Sequence, residues 1–165
     1  MSQLDHEDKL AQVYRLYRAP MLRLALRVTG QEHDAEDAVH DAFASIAKNL
    51  DKFAEADSPR TRGYVMVITE RKAIDLVRGR QSRPSQELDE DAVSIDFPNA
   101  GENSLAACMA KLPPRYREIL LLRFVYGYSM RETAELMGVP FTTVGKLSQR
   151  AKERLYELCR REGVL

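Results

Sequence analysis

Cysteine is scarce in this chain: only Cys108 and Cys159 occur, and neither belongs to a metal-ligand spacing. The pair therefore supplies no disulfide or zinc framework, and a reduced, cytoplasmic protein is the expectation. Long apolar runs are also missing. No stretch approaches the roughly 20 residues that cross a bilayer, and the first residues are acidic and polar rather than a cationic lead into an apolar core, so neither membrane insertion nor export is predicted. Alternating β patterns of useful length are absent as well, which leaves an all-α reading. An excess of either charge is the last thing lacking, since 25 Lys and Arg balance 25 Asp and Glu. A neutral total argues at first sight against a nucleic-acid partner.

The charge is nevertheless segregated. Residues 31 to 58 carry Glu32, Asp34, Glu36, Asp37, Asp41, Asp51, Glu55 and Asp57 against Lys48 and Lys52. Residues 60 to 83 reverse this with Arg60, Arg62, Arg71, Lys72, Arg78, Arg80 and Arg83 against Glu70 and Asp75. A basic stretch directly after an acidic one points to two different partners, although a charge run alone is often only a solvated face.

Helical periodicity organises both ends. Leu10, Val13, Tyr14 and Tyr17 start a helix that Pro20 is expected to interrupt, and a second helix should run from Met21 to Val28 and stop at Gly30. A third is expected to begin with Asp34 as its cap and to turn Ala38, Ala42, Phe43, Ile46 and Leu50 inward. The fourth runs from Gly63 or Tyr64 to about Arg80, with Tyr64, Arg71, Asp75 and Arg78 along one side and Val65, Ala73, Leu76 and Val77 broadly opposite. An aromatic ring among cations can stack on exposed bases, though a Tyr at a helix start is more often packed in a core. Residues 81 to 104, QSRPSQELDEDAVSIDFPNAGENS, lack periodicity and gather Pro, Ser, Asn, Gly and acid. They read as a flexible linker that could extend roughly 80 Å at 3.3 to 3.6 Å per residue. The expected organisation is two small helical domains, 1–80 and 105–165, joined by 81–104.

The segment Leu112 to Leu158, LPPRYREILLLRFVYGYSMRETAELMGVPFTTVGKLSQRAKERLYEL, reads as a helix-turn-helix with a supporting helix. Ser129 and Glu132 form a capping-box spacing, and Ala134, Leu136 and Met137 run to Gly138, suited to a left-handed helix end. After Val139-Pro140-Phe141, the residues Val144, Leu147, Ala151, Leu155 and Leu158 mark one apolar face of a second helix. Thr142, Lys146 and Gln149 then project away from that face, with Arg150 and Lys152 on its flanks. A lysine can donate to guanine, a glutamine amide can pair with adenine, and flanking cations can neutralise phosphates. Glu153 on the same face argues the other way, for an ordinary solvated helix.

The order of motifs carries a resemblance that spans nearly the whole chain. HDAEDAVHDAFASIAKNL resembles the acidic helix that grips the polymerase clamp in bacterial sigma factors of the small extracytoplasmic-function class. RGYVMVITERKAIDLVRGR resembles their promoter-melting helix, and LPPRYREILLLRFVYGYSMRETAELMG the start of their upstream-element domain. The resemblance implies two helical domains that deliver core RNA polymerase to a promoter, one opening the minus-ten element and one reading the minus-thirty-five element. Position by position, it implies that Asp34, Glu36, Asp37, Asp41 and Phe43 face the polymerase. It places a flipped base at the loop Asp51 to Arg62, the melted strand on Arg60, Arg62, Tyr64, Arg71, Lys72, Arg78 and Arg80, and the upstream duplex on Thr142, Thr143, Lys146, Gln149 and Arg150. Base extrusion costs a few kcal/mol, so a pocket without bond chemistry is implied and neither enzyme activity nor a cofactor is expected.

Two departures from the family pattern matter. Glu70-Arg71 stands where relatives usually show Arg-Asn, which changes the expected downstream base preference. Thr143-Val144-Gly145-Lys146-Leu147-Ser148 stands where they read T-V-K-S-R-L, removing two cations and placing Gly in a helix at a cost of about 1 kcal/mol relative to Ala. The long acidic N-terminal extension and the extra promoter-binding domain of housekeeping relatives find no counterpart, which implies a separate anti-sigma factor as partner. An alternative keeps the fold but makes the chain a sigma-like decoy that sequesters an anti-sigma factor without reading promoters. A third, enzymatic reading rests on His33, Asp37 and His40 at helical spacing, but no second acid-x-x-His motif completes a metal site, and no metal is expected.

Overall fold

A computed structural model describes residues 3–53, 55–80 and 104–164, with the side chains of Gln3 and Arg80 left out. The described residues are helical with no strand, in two compact units that divide at Ser85 and Gln86. The 81–104 linker expectation lies outside the described residues except for Ser104.

In the first unit, α1 (Gln3–Thr29), α2 (Glu32–Lys48) and α3 (Pro59–Arg80) pack against one another, with a 3-10 turn at Leu50–Lys52. The expected break at Pro20 does not occur: α1 runs straight through it. A proline inside a helix costs about 3 kcal/mol or more. Yet Val13, Tyr17, Met21, Leu24 and Ala25 form one uninterrupted buried stripe, and burying each large side chain returns about 1.5–3 kcal/mol. Packing overrides the local signal, so three long helices build this core instead of four. The helix stops at Gly30, which adopts φ 71°.

The cap of α2 is likewise displaced. Gln31 occupies the N-cap without a side-chain bond, and the helix starts at Glu32. Asp34 therefore sits within the first turn instead of at the cap and is buried at 3% exposure, while Ala38, Ala42 and Ile46 point into the core as expected.

The second unit packs α4 (Leu105–Ala110), α5 (Pro114–Leu120) and α6 (Met130–Met137) against α7 (Phe141–Arg161). Ser104 caps α4 by accepting from the Ala107 amide at 3.1 Å. Arg117 is the largest fully buried side chain, and its guanidinium donates to the carbonyls of Ala110 at 3.1 Å and Leu112 at 2.9 Å. Those acceptors close the end of α4, whose last carbonyls lack helical donors. A π turn, Leu121–Val125, follows α5 and leaves Phe124 and Val125 exposed.

Candidate nucleic-acid interface

The helix-turn-helix is built from the residues that the sequence singled out. The Ser129 hydroxyl accepts from the Glu132 amide at 3.0 Å and Glu132 accepts from the Ser129 amide at 2.9 Å, so the capping box is closed at the start of α6. Gly138 ends that helix at φ 68°, in the left-handed region that favours glycine. Val139 and Pro140 lead directly into α7, where Val144, Leu147 and Ala151 are buried and Leu155 and Leu158 half-buried. One face is docked. Thr142, Lys146, Gln149 and Arg150 are exposed on the other, and Thr143 is half-buried beside them.

The charge on that outer face is uneven. Lys146 and Arg150 make no ion pair among the described residues, whereas Gln149 donates its amide to Glu153 at 3.2 Å. Lys152 is turned toward Phe124, with its ammonium 4.4 Å from the ring centroid, and lies to one side. Arg115, which the sequence reading did not single out, joins the interface from α5 and lines a cleft with Thr142, Thr143, Lys146 and Arg150. Its closest polar partner is the Met137 carbonyl, at 3.4 Å and 22 positions away in the chain. Only tertiary structure brings it there.

The first unit separates its candidates more sharply. On α2, Glu36, Asp37 and Asp41 are exposed, and Phe43 is half-buried with its ring 5.2 Å from that of half-exposed Tyr14. Glu36, two turns before Phe43, lies on the same side of α2 as that aromatic edge, while Asp37 and Asp41 continue the exposed face away from it. Asp34 does not belong to the exposed face, being turned into the core from the first turn of α2, so its expected outward role is corrected. His33 and Asp37 approach to 3.6 Å on the exposed side, and among the described residues no group of three His, Cys, Asp or Glu is arranged to hold a metal.

On α3, Arg60 and Arg62 are exposed, Arg71, Lys72 and Arg78 are half-buried, and the Arg80 side chain lies outside the described residues. Tyr64 is 1% exposed, packs its ring 5.1 Å from Phe53 and accepts from the Asn49 amide at 3.3 Å. The expected exposed stacking platform is therefore corrected at this residue: its ring belongs to the core and fixes the segment after α2. Thr69 is also buried and turns its hydroxyl back to the Val65 carbonyl at 2.7 Å.

The segment between the 3-10 turn and α3 is held by its carbonyls. Lys9 donates to those of Leu50, at 2.9 Å, and Phe53, and Tyr17 donates to that of Ala56 at 2.6 Å. Thr61 takes the Glu55 carbonyl at 2.6 Å. Burial pushes the Lys9 ammonium below the usual lysine range, against the opposing pull of Asp51, and pushes the Tyr17 phenol above its usual range. No sequence pattern announces these bonds, since Lys9 and Leu50 lie 41 positions apart.

The described residues thus form two all-α units, one with an exposed acidic helix beside a basic one and the other with a helix-turn-helix. Residues 13–83 match the family described as sigma-70 region 2, and residues 102–155 that described as sigma-70, region 4. The two regions together span most of the chain, which belongs to the sigma-70 family. It is 28% identical over 155 residues to the ECF RNA polymerase sigma factor SigE of Mycolicibacterium smegmatis, covering 87% of this chain and 59% of that protein. Against the ECF RNA polymerase sigma factor SigW of Bacillus subtilis it is 26% identical over 172 residues, covering 90% of this chain and 88% of the relative. Among solved structures, the sigma factor RpoE in complex with the anti-sigma factor NepR from Bartonella quintana is 21% identical, with a TM-score of 0.49 over 91% of this chain and 96% of that one.

Proposed function

We propose that this protein is an alternative sigma factor that binds core RNA polymerase and directs promoter recognition, strand opening and transcription initiation. The observation that carries this reading is the docked α7, whose outer face presents Thr142, Lys146, Gln149 and Arg150 in a chain that holds both sigma-70 regions in order. A helix seated by one apolar face and free on the other can enter a major groove. In this reading residues 1–80 bind polymerase and open the promoter, 81–104 link, and 105–165 read the upstream element.

Glu36, Asp37 and Asp41 present carboxylates, and Phe43 with Tyr14 an apolar anchor, for a basic and partly apolar surface of the polymerase. Arg60, Arg62, Arg71, Lys72 and Arg78, with Arg80, track the phosphates of the melted strand. Tyr64 and Asp34 contribute by packing rather than by contact. The protein does no bond chemistry and needs no cofactor, and it works in the cytoplasm, where an anti-sigma factor is its regulator. No described helix is long and apolar enough to cross a membrane.

Run-off transcription with core polymerase and a promoter library tests the whole proposal. Transcripts that start at a defined subset of promoters support it. No promoter-dependent RNA, together with retained binding to an anti-sigma factor, would replace it with the decoy.

A further inference from the structure

The cleft between α5 and α7 has a volume of about 130 Å³ and is lined by Arg115, Val139, Thr142, Thr143, Lys146, Leu147 and Arg150. Three cations and two hydroxyls meet there without one carboxylate. Lys146 and Arg150 are exposed and unpaired among the described residues, and Arg115 has only the Met137 carbonyl, at 3.4 Å. Like charges gathered on one wall repel unless an anion lies between them. Thr142 and Thr143 fall in the first turn of α7, where the Thr143 amide is already taken by the Pro140 carbonyl at 3.0 Å, so the donors left to an anion in the cleft are the side chains.

We propose that this cleft is a clamp for one backbone phosphate of the upstream duplex, closed by Arg115 from α5 against Lys146 and Arg150 from α7. The proposal rests on the promoter-binding reading and refines it. Lys146 is drawn to the phosphate instead of to a base edge, which leaves Gln149, on the next turn, as the side chain aimed at bases. Arg115 contributes affinity and register, not sequence preference, because a phosphate contact carries no base information. Its guanidinium can bond the phosphate through two N–H groups at once.

The test uses holoenzyme formed from the full chain and core polymerase, titrated with fluorescent promoter duplexes that vary in the upstream element, at 50 and 200 mM salt. Arg115→Gln keeps an amide donor for the Met137 carbonyl but removes the charge, Arg115→Lys keeps the charge, and Gln149→Ala serves as the base-reading control. Loss of one phosphate contact lowers the salt slope by about 0.9. The advantage of the natural chain over Arg115→Gln should accordingly shrink by about 3.5-fold between the two salts. Its ranking of promoters should stay unchanged, and Arg115→Lys should recover most of the slope. A slope equal to the natural chain's in Arg115→Gln, with Gln149→Ala still altering the ranking, would overturn the clamp and leave promoter reading intact. If neither variant changed binding or ranking, the promoter-reading role of α7 itself would fall, and the clamp with it.

Discussion

Gly145 stands in the interior of α7, between the residues proposed to touch DNA, and its replacement by alanine should stabilise the second unit. Its backbone is helical and it is not among the positive-φ glycines Gly30, Gly127, Gly138 and Gly163. A Cβ built there meets only the Met130 methyl carbon, at 3.7 Å, which is ordinary contact with the flexible end of a side chain. No steric penalty therefore offsets the helix-propensity gain of Gly→Ala, about 0.8–1.0 kcal/mol, which arises mainly from the freedom glycine loses on folding. In a unit of this size a gain of that magnitude raises the unfolding midpoint by about 4–8 °C. Thermal denaturation of the full chain without DNA, followed by circular dichroism, reads it directly. An unchanged or lowered midpoint for the second unit would refute the reasoning, since it would mean that the turn around Gly145 is not helical or that Met130 cannot give way. The same variant then reports on function: Gly145 is exposed between Thr142 and Lys146, so a protein that is more stable yet binds promoter more weakly would locate the closest approach of the DNA backbone at this missing side chain.

Tyr64→Ala should destabilise the first unit by about 3–5 kcal/mol, as truncation of a buried aromatic does, so it should depress polymerase binding and strand opening together; a selective loss of permanganate-reactive bases at normal stability would restore the exposed-platform role. Reversing Asp37 and Asp41 to Lys should weaken the holoenzyme without changing the stability of the first unit by more than about 0.5 kcal/mol, because both side chains are exposed; an unchanged titration against core enzyme would remove this face from the interface. Burial, followed by the hydrogen bond with Cys159, pushes the Cys108 thiol up to about 11, above its unfolded value near 9. The folded unit thus keeps a proton that the unfolded chain releases, so stability from this group is full below about pH 9 and is lost as pH rises toward 11. Denaturant midpoints measured across that window should fall less steeply in Cys108→Ala than in the natural chain, and identical pH slopes would rule the thiol out as the cause.

What the sequence made legible is local. The capping box at Ser129 and Glu132, the left-handed Gly138 and the apolar step from Val144 to Ala151 are each satisfied within a few residues, so spacing alone places them. Pro20 misled because its local cost competes with a stripe of buried contacts whose partners lie on α2 and α3. Asp34 misled for a similar reason: an acid near a helix start has the chemistry of a cap, but Gln31 took that position and left the acid inside the first turn. Long-range bonds were beyond reach altogether. Neither the approach of Arg115 to Met137 nor the bonds from Lys9 and Tyr17 to the segment after α2 leaves a periodic trace.

The residues that moved from the surface to the interior sharpen the functional reading. Tyr64, in a motif that resembles the promoter-melting helix, braces Asn49 and Phe53, while Lys9, Tyr17 and Thr61 hold the carbonyls of Leu50, Phe53, Ala56 and Glu55. Four side chains from two helices therefore fix one short segment whose own Asp51, Glu55 and Asp57 remain exposed. A segment that only connected α2 to α3 would not need its carbonyls tied from both sides, since water satisfies them on a loop surface at little cost. Tying them restricts the backbone before any ligand arrives, which removes ordering entropy from the binding step. In the proposed promoter-opening role, the motif residues in the core set the geometry of this loop, and the exposed residues on it meet the extruded base.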